Sequence, residues 1–204
     1  MKRGLRIGLV LALAAFVGGG VSLKDAQAGL VTCNDSQLRP FAPWGDYSYY
    51  KLAPNGSFDE GSSGWALSRG ARVVSEGNPL ISGSSSLLLP AGSSATAPAA
   101  CAKLADPASR FFFRNTGSRD GALRVDVTYR TLLGLFTVTS RIGTFTAGGE
   151  WQPSPKYGHL VSNVLGLLAL NPSIAASLRF KFTPVGRDAE YQIDDLFVDP
   201  LLQI

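Results

Sequence analysis

Few residues in this sequence could carry chemistry. His159 is the only histidine. It lies in Tyr157-Gly158-His159-Leu160, beside Pro153 and Pro155. A serine triad needs a histidine base bonded to an exposed serine, and no G-x-S-x-G turn occurs to present one. His159 therefore reads as a loop residue rather than a base. Glycoside hydrolysis takes two carboxyl groups held apart across one bond. Asp194 and Asp195 are adjacent on an expected strand, and strand neighbours point to opposite faces, so the pair is not expected to act together. No phosphate loop or dinucleotide fingerprint is present. These residues argue against an enzyme.

Binding chemistry is better supplied. Aromatic rings stack on sugar faces while polar groups hold the hydroxyls. Trp44, Trp65, Trp151, Tyr47, Tyr49, Tyr50 and Tyr157 are the rings to consider, and each has core packing as its alternative use. Trp151 and Tyr157 flank the proline-rich stretch, where a loop site would sit. A second set is basic. Arg124, Arg130 and Arg141 recur with Asp126, Thr128, Thr137 and Thr139, and Arg179 and Lys181 repeat the pattern. A face built from them would favour anionic ligands such as uronate-bearing polysaccharides or teichoic-acid phosphates. The alternative is a solvated face with cross-strand Arg–Asp pairs.

The elements that must position these groups are strands. Leu123-Arg124-Val125-Asp126-Val127-Thr128-Tyr129-Arg130 alternates apolar and polar at period two. Phe136–Thr139 and Leu178–Thr183 do the same, which marks antiparallel sheet with one face in a core. Further strands are expected at Tyr49–Leu52, Trp65–Leu67, Arg72–Ser75, Ser86–Leu89, Ala95–Ala99, Phe111–Arg114, Arg141–Phe145 and Tyr191–Val198. Glycine, proline and serine clusters separate them, and the pattern predicts a two-sheet sandwich. Residues 152–172 read as a long irregular connection. Apolar residues 164–170 are too few to span a bilayer.

The start of the chain predicts export. Lys2, Arg3 and Arg6 precede an apolar run from Ile7 to Val21, and Ala26-Gln27-Ala28 offers a cleavage site. Cleavage after Ala28 would leave 204 − 28 = 176 residues, enough for one domain. It would also remove four of the 19 basic and one of the 15 acidic residues, leaving 15 against 14. A net charge near zero calls for neither nucleic acid nor an anionic membrane. In an exported protein Cys33 and Cys101 are expected to pair, with two free thiols as the alternative. The expected organisation is a signal peptide at 1–28, an arm at 29–49 tied by that disulfide, and the sandwich at 50–204. The expected location is secreted or extracytoplasmic, with no membrane insertion after cleavage.

Three segments carry a family resemblance. Asn55-Gly56-Ser57-Phe58-Asp59-Glu60-Gly61 is followed by Gly64-Trp65, then by Ser86-Leu87-Leu88-Leu89, and finally by Tyr191-Gln192-Ile193-Asp194-Asp195-Leu196-Phe197-Val198. Their order resembles galactose-binding-like jelly-roll domains, which include many carbohydrate-binding modules of secreted glycoside hydrolases. Phe41–Trp44, Trp151–Pro155 and Ile193–Pro200 also resemble a group of uncharacterised secreted bacterial proteins.

The resemblance implies an all-β jelly-roll sandwich of two antiparallel sheets. It implies, too, a structural calcium ion held by Asp59 with Asp194 or Asp195, since calcium takes carboxylate and carbonyl oxygens and clustered carboxylates repel without a cation. The alternatives are Asp59 capping a turn and Asp195 meeting an arginine. The reading that follows is a secreted, non-catalytic domain binding carbohydrate or cell-wall polymer, with Arg124, Arg130, Arg141, Trp151 and Tyr157 as candidate contacts. The alternative is a structural or protein-interaction domain at the cell surface with no small ligand.

Overall fold

The computed structural model describes residues 38–81, 83–103, 108–131, 136–158 and 175–199. The expected signal peptide, Cys33, His159 and the apolar run 164–170 lie outside these residues, and Cys101 is described only as strand backbone. The Cys33–Cys101 pairing therefore stays an expectation.

The described residues form strands and two short 3-10 turns. In chain order the strands are β1 (Lys51–Leu52), β2 (Ala66–Ser68), β3 (Arg72–Val74), β4 (Ser86–Leu89), β5 (Ser94–Thr96), β6 (Ala100–Lys103) and β7 (Ala108–Asn115). They continue as β8 (Ala122–Thr131), β9 (Phe136–Phe145), β10 (Gln152–Pro153), β11 (Tyr157–Gly158), β12 (Ala175–Val185) and β13 (Tyr191–Val198). One sheet runs β10-β7-β13-β4-β3, with β1 on β13 and β11 on β7. The other runs β2-β5-β12-β8-β9, with β6 on β12. Every pairing is antiparallel. This is the two-sheet sandwich expected from the alternation.

The alternation drives it. Leu123, Val125, Val127 and Tyr129 of β8 and Leu178, Phe180 and Phe182 of β12 turn inward and are buried. They meet Leu87, Leu89, Phe111, Phe113, Tyr191 and Ile193 of the other sheet in one core. Burying such side chains contributes roughly 1.5–3 kcal/mol each, so a one-residue slip of either strand would be prohibitive.

The motif loop Asn55–Trp65 is closed by its own side chains. Asn55 Nδ2 donates to the carbonyls of Gly61 and Ser63, and Asn55 Oδ1 accepts from the Glu60 N–H. Trp65 Nε1 donates to the Asn55 carbonyl. Gly56 lies against β13, where a Cβ would fall 2.8 Å from the Leu196 carbonyl oxygen. The glycine of the first motif is thus set by contact with the strand of the last.

The arm crosses the outer face of the seven-stranded sheet. Phe41 and Tyr50 pack with Phe112 and Phe197 in a second, smaller core. Phe41 is fully buried, stacked on Phe112 at 5.2 Å and edge-on to Tyr50 at 5.0 Å. The Arg110 guanidinium lies 4.2 Å from the Phe41 ring centre and pairs with Asp46 at 2.8 Å. Tyr50 Oη donates to Asp46 at 2.7 Å. These contacts hold the described arm independently of any disulfide.

Phe41→Ala should destabilise the protein by about 3–4 kcal/mol through the cavity it leaves, measured by denaturant unfolding of the reduced protein. A loss under ~1 kcal/mol would mean that the arm adds little to the fold.

Candidate functional site

The polar residues of β8, β9 and β12 share one face. The register sets Thr183 opposite Arg124, Lys181 opposite Asp126 and Arg179 opposite Thr128. On the far side of β8, Thr144 faces Arg124, Arg141 faces Asp126 and Thr139 faces Thr128. Arg130 holds the next row with Thr137 and Ser177. β5 extends the face with Thr96 opposite Lys181. Among the described side chains, no aromatic residue occupies an outward position on these strands.

A bulge aligns the charges. The β8–β9 register shifts between Val125 and Asp126, so Val125 faces Gly143 while Asp126 faces Arg141. The extra residue, Ile142, packs against the main core. An unbroken ladder would put Ile142 opposite Asp126; the bulge re-aims both residues. The Phe145 and Tyr157 rings crowd Gly143, where a Cβ would fall 3.0 Å from Phe145.

Asp126 is the acidic centre of this basic field. Arg124 Nε lies 3.0 Å from one carboxylate oxygen and Arg141 Nε 3.7 Å from the other. Thr128 and Thr139 hydroxyls are 2.9 Å apart across the strands. Arg179 and Lys181 are exposed and form no ion pair among the described residues. Counting Arg124, Arg141, Arg179 and Lys181 against Asp126 gives 4 − 1 = +3. The face thus contains the cross-strand Arg–Asp pair foreseen as the plain alternative, and two further cations besides.

The five candidate contacts do not form one site. Arg124 and Arg141 meet around Asp126, and Arg130 follows in register. Trp151 is on the other side of the sandwich, packed beside the small core under the arm, with the Arg114 guanidinium 5.1 Å from its ring centre. Tyr157 packs edge-on to Phe145 at 4.3 Å, and burial raises its hydroxyl pKa. The expectation that both rings flank a shared loop site is corrected: β10 and β11 pin this stretch along β7. Trp65 is buried against Phe58 and Phe182. Trp44 and Tyr47 are the exposed rings, on the arm.

The acidic pair also departs from expectation. Asp195 has a φ of +49°, at a register shift between Asp194 and Phe197. That left-handed residue breaks the alternation, and both carboxylates turn to Asn78. Asp194 Oδ2 accepts from the Asn78 N–H at 2.8 Å, and Asp195 Oδ2 from Asn78 Nδ2 at 3.1 Å. Asp194 Oδ1 accepts from the Asp195 N–H. Both side chains are buried, and no arginine pairs with them among the described residues. Burial, then the charge of Asp195, pushes the Asp194 carboxyl up to about 8. Burial pushes Asp195 up to about 6 against the Asn78 hydrogen bond. Asp59 raises both through its charge, but its own carboxylate accepts from Ser57 Oγ at 2.6 Å.

Among the described residues no group of three or more histidine, cysteine, aspartate and glutamate side chains is placed to hold a metal ion. Three of the four oxygens of the Asp194–Asp195 pair accept N–H groups, and the calcium set of Asp59 with Asp194 or Asp195 stays an expectation. Asn78 eases the close carboxylates by donating a hydrogen bond to each.

Comparison with known proteins agrees with the architecture. The fold is similar to the CBM22-1–GH10 modules of Clostridium thermocellum endo-1,4-beta-D-xylanase 10B complexed with xylohexaose: 17% identity over 70% of this chain and 27% of that one, TM-score 0.50. This chain therefore spans little more than a quarter of that fragment. Two further similar structures are the CBM22-1 xylan-binding domain from Paenibacillus barcinonensis (17% identity, 72% and 94% covered, TM-score 0.47) and the family 11 carbohydrate-binding module from Clostridium thermocellum (11%, 76% and 98%, 0.45). No protein-family model matches the chain, and the search of characterised proteins yields no match. The class is an all-β jelly-roll sandwich, the fold of carbohydrate-binding modules, as the three sequence motifs implied.

The raised carboxyls give a pH dependence of definite sign. A carboxyl raised in the folded state stabilises it fully below its unfolded value near 4 and loses that contribution as pH climbs through the folded values. Stability should therefore fall between about pH 4 and about pH 8. Asp195→Asn keeps an acceptor for Asn78, tolerates the left-handed backbone and removes one charge. It should raise the melting temperature at pH 8 by the equivalent of about 1 kcal/mol and change little below about pH 4. A lower melting temperature at pH 8, or a calcium-induced rise that the variant abolishes, would show an ion held there instead.

Proposed function

We propose that this chain is a secreted, non-catalytic domain that binds polysaccharide or cell-envelope polymer on the outer face of its six-stranded sheet. The observation that carries this reading is the face itself. Three long neighbouring strands present hydroxyls and cations at regular intervals over a surface long enough to track a chain. Thr128, Thr139 and Thr96 supply donors and acceptors for hydroxyl groups. Arg179 and Lys181 supply charge that no described carboxylate neutralises.

Such a face is rigid before binding, because its strands are fixed from beneath by Val125, Val127, Phe180 and Phe182. A preformed surface loses little conformational entropy when a ligand docks. Individual contacts to an open face are weak, so affinity rests on engaging several repeats of one polymer together. The jelly-roll class supports the reading as an analogy of fold, which does not by itself fix function.

The test is a panel of soluble polysaccharides and envelope polymers presented to the purified protein, with the double variant Arg179→Ala, Lys181→Ala as control. Binding to at least one polymer is expected, with a drop of about tenfold in the variant and an unchanged melting temperature. Silence across the panel, with capture of an envelope protein instead, would make the chain a protein-interaction domain.

A further inference from the structure

Asp126 has a central position on the basic face. It is the one acid among the described outward residues of β8, β9 and β12, and it sits at the middle of their basic field. Its carboxylate is only 18% exposed and is bracketed along and across the strands by Arg124 and Arg141. Lys181 stands opposite it on the third strand. The bulge after Val125 is what brings Arg141 into line. Neighbouring strands lie about 4.8 Å apart and alternate residues about 6.8 Å, so these cations would repel one another without an anion between them.

We propose, resting on the polymer-binding reading above, that the ligand is a polyanionic polysaccharide and that Asp126 is a built-in competitor for its anionic groups. The carboxylate holds Arg124 and Arg141 in place in the free protein. It leaves Arg179 and Lys181 open to a first carboxylate, phosphate or sulfate of the ligand. Neighbouring anionic groups of the same chain must then draw Arg141, the more exposed of the bracketing arginines at 64%, away from Asp126. A ligand with one charge gains little from this face, whereas a regularly charged polymer recruits the whole field. Asp126 thereby sets a threshold of charge density and lowers affinity for weakly charged chains. Hydroxyls between the cations match a sugar chain, and among the described residues no outward ring is available for a nucleobase to stack on.

The experiment measures binding of the purified full chain to polygalacturonate, to poly(glycerol phosphate), to neutral xylan and to single-stranded DNA, at about 0.05 M and about 0.5 M salt. Wild type should bind polygalacturonate, prefer it to xylan, and lose most of that affinity at high salt. Binding of polygalacturonate supports the proposal; poly(glycerol phosphate) carries no sugar, so binding of it alone would overturn the polysaccharide while leaving the anionic ligand intact. Asp126→Asn should bind the same polymer about fivefold more tightly, because both arginines are released. Arg179→Ala, at an exposed position, should weaken binding about threefold and fold normally.

Equal, salt-insensitive binding of xylan would overturn the anionic ligand while leaving polymer binding intact. Equal binding of DNA would overturn the polysaccharide. Weaker binding by a folded Asp126→Asn would overturn the competitor role. Failure of every polymer would overturn the underlying reading as well. Should Asp126→Asn not fold, Arg141→Gln decides the last point: it removes the more exposed partner, so a competitor Asp126 then masks Arg124 fully, and affinity falls by more than the threefold of Arg179→Ala.

Discussion

The pairing of β12 with β8, in register from Ser177–Arg130 to Val185–Ala122, is the constraint on which the rest depends. Each strand alternates strictly, and the two patterns are in phase. Leu178, Phe180 and Phe182 therefore go down with Val125, Val127 and Tyr129, while Arg179, Lys181 and Thr183 come up with Thr128, Asp126 and Arg124. The energy lies below the sheet in apolar burial, and the chemistry lies above it. Any change that kept the core but slipped the register would break up the outer charge pattern.

The two outer faces of the sandwich differ for the same reason. The six-stranded sheet has a polar, cationic exterior that water can solvate. The seven-stranded sheet carries Phe112 and Phe197 outward, so it needs a cover, which Phe41 of the arm and Tyr50 just after it provide. The salt bridge of Asp46 with Arg110 is half of that attachment. Burial alone would raise the Asp46 carboxyl, but hydrogen bonds from Tyr50, the Ser48 N–H and Arg110 outweigh it and hold the group at about 2. The arm therefore stays anchored over the whole neutral range, and the cationic face is the open one.

Much of this was legible in the sequence wherever the physics is local. Strict alternation located β8 and β12, β9 joins the two strands expected at Phe136–Thr139 and Arg141–Phe145, and the segments Ser86–Leu89 and Tyr191–Val198 form strands with the bounds expected. The order of the three motifs carried the fold, because Gly56 and Leu196 touch. What was not legible depends on irregularity. Alternation puts Asp194 and Asp195 on opposite faces, but a left-handed Asp195 turns both toward Asn78, and an isolated sequence gives no sign of that φ value. The shift that brings Arg141 to Asp126 is likewise a bulge; Gly143 was the available signal. Trp151 and Tyr157 looked like a loop pair because prolines hid the short strands β10 and β11, which need tertiary pairing with β7 to exist at all.

The most direct test of the account is the location of a bound ligand by backbone amide NMR, titrating oligogalacturonate into the labelled protein. The account predicts shifts concentrated in residues 122–131, 136–145 and 177–183, with the arm unperturbed. Shifts centred on Trp44, Tyr47 and Trp151 instead would contradict it and move the binding face to the opposite side of the sandwich.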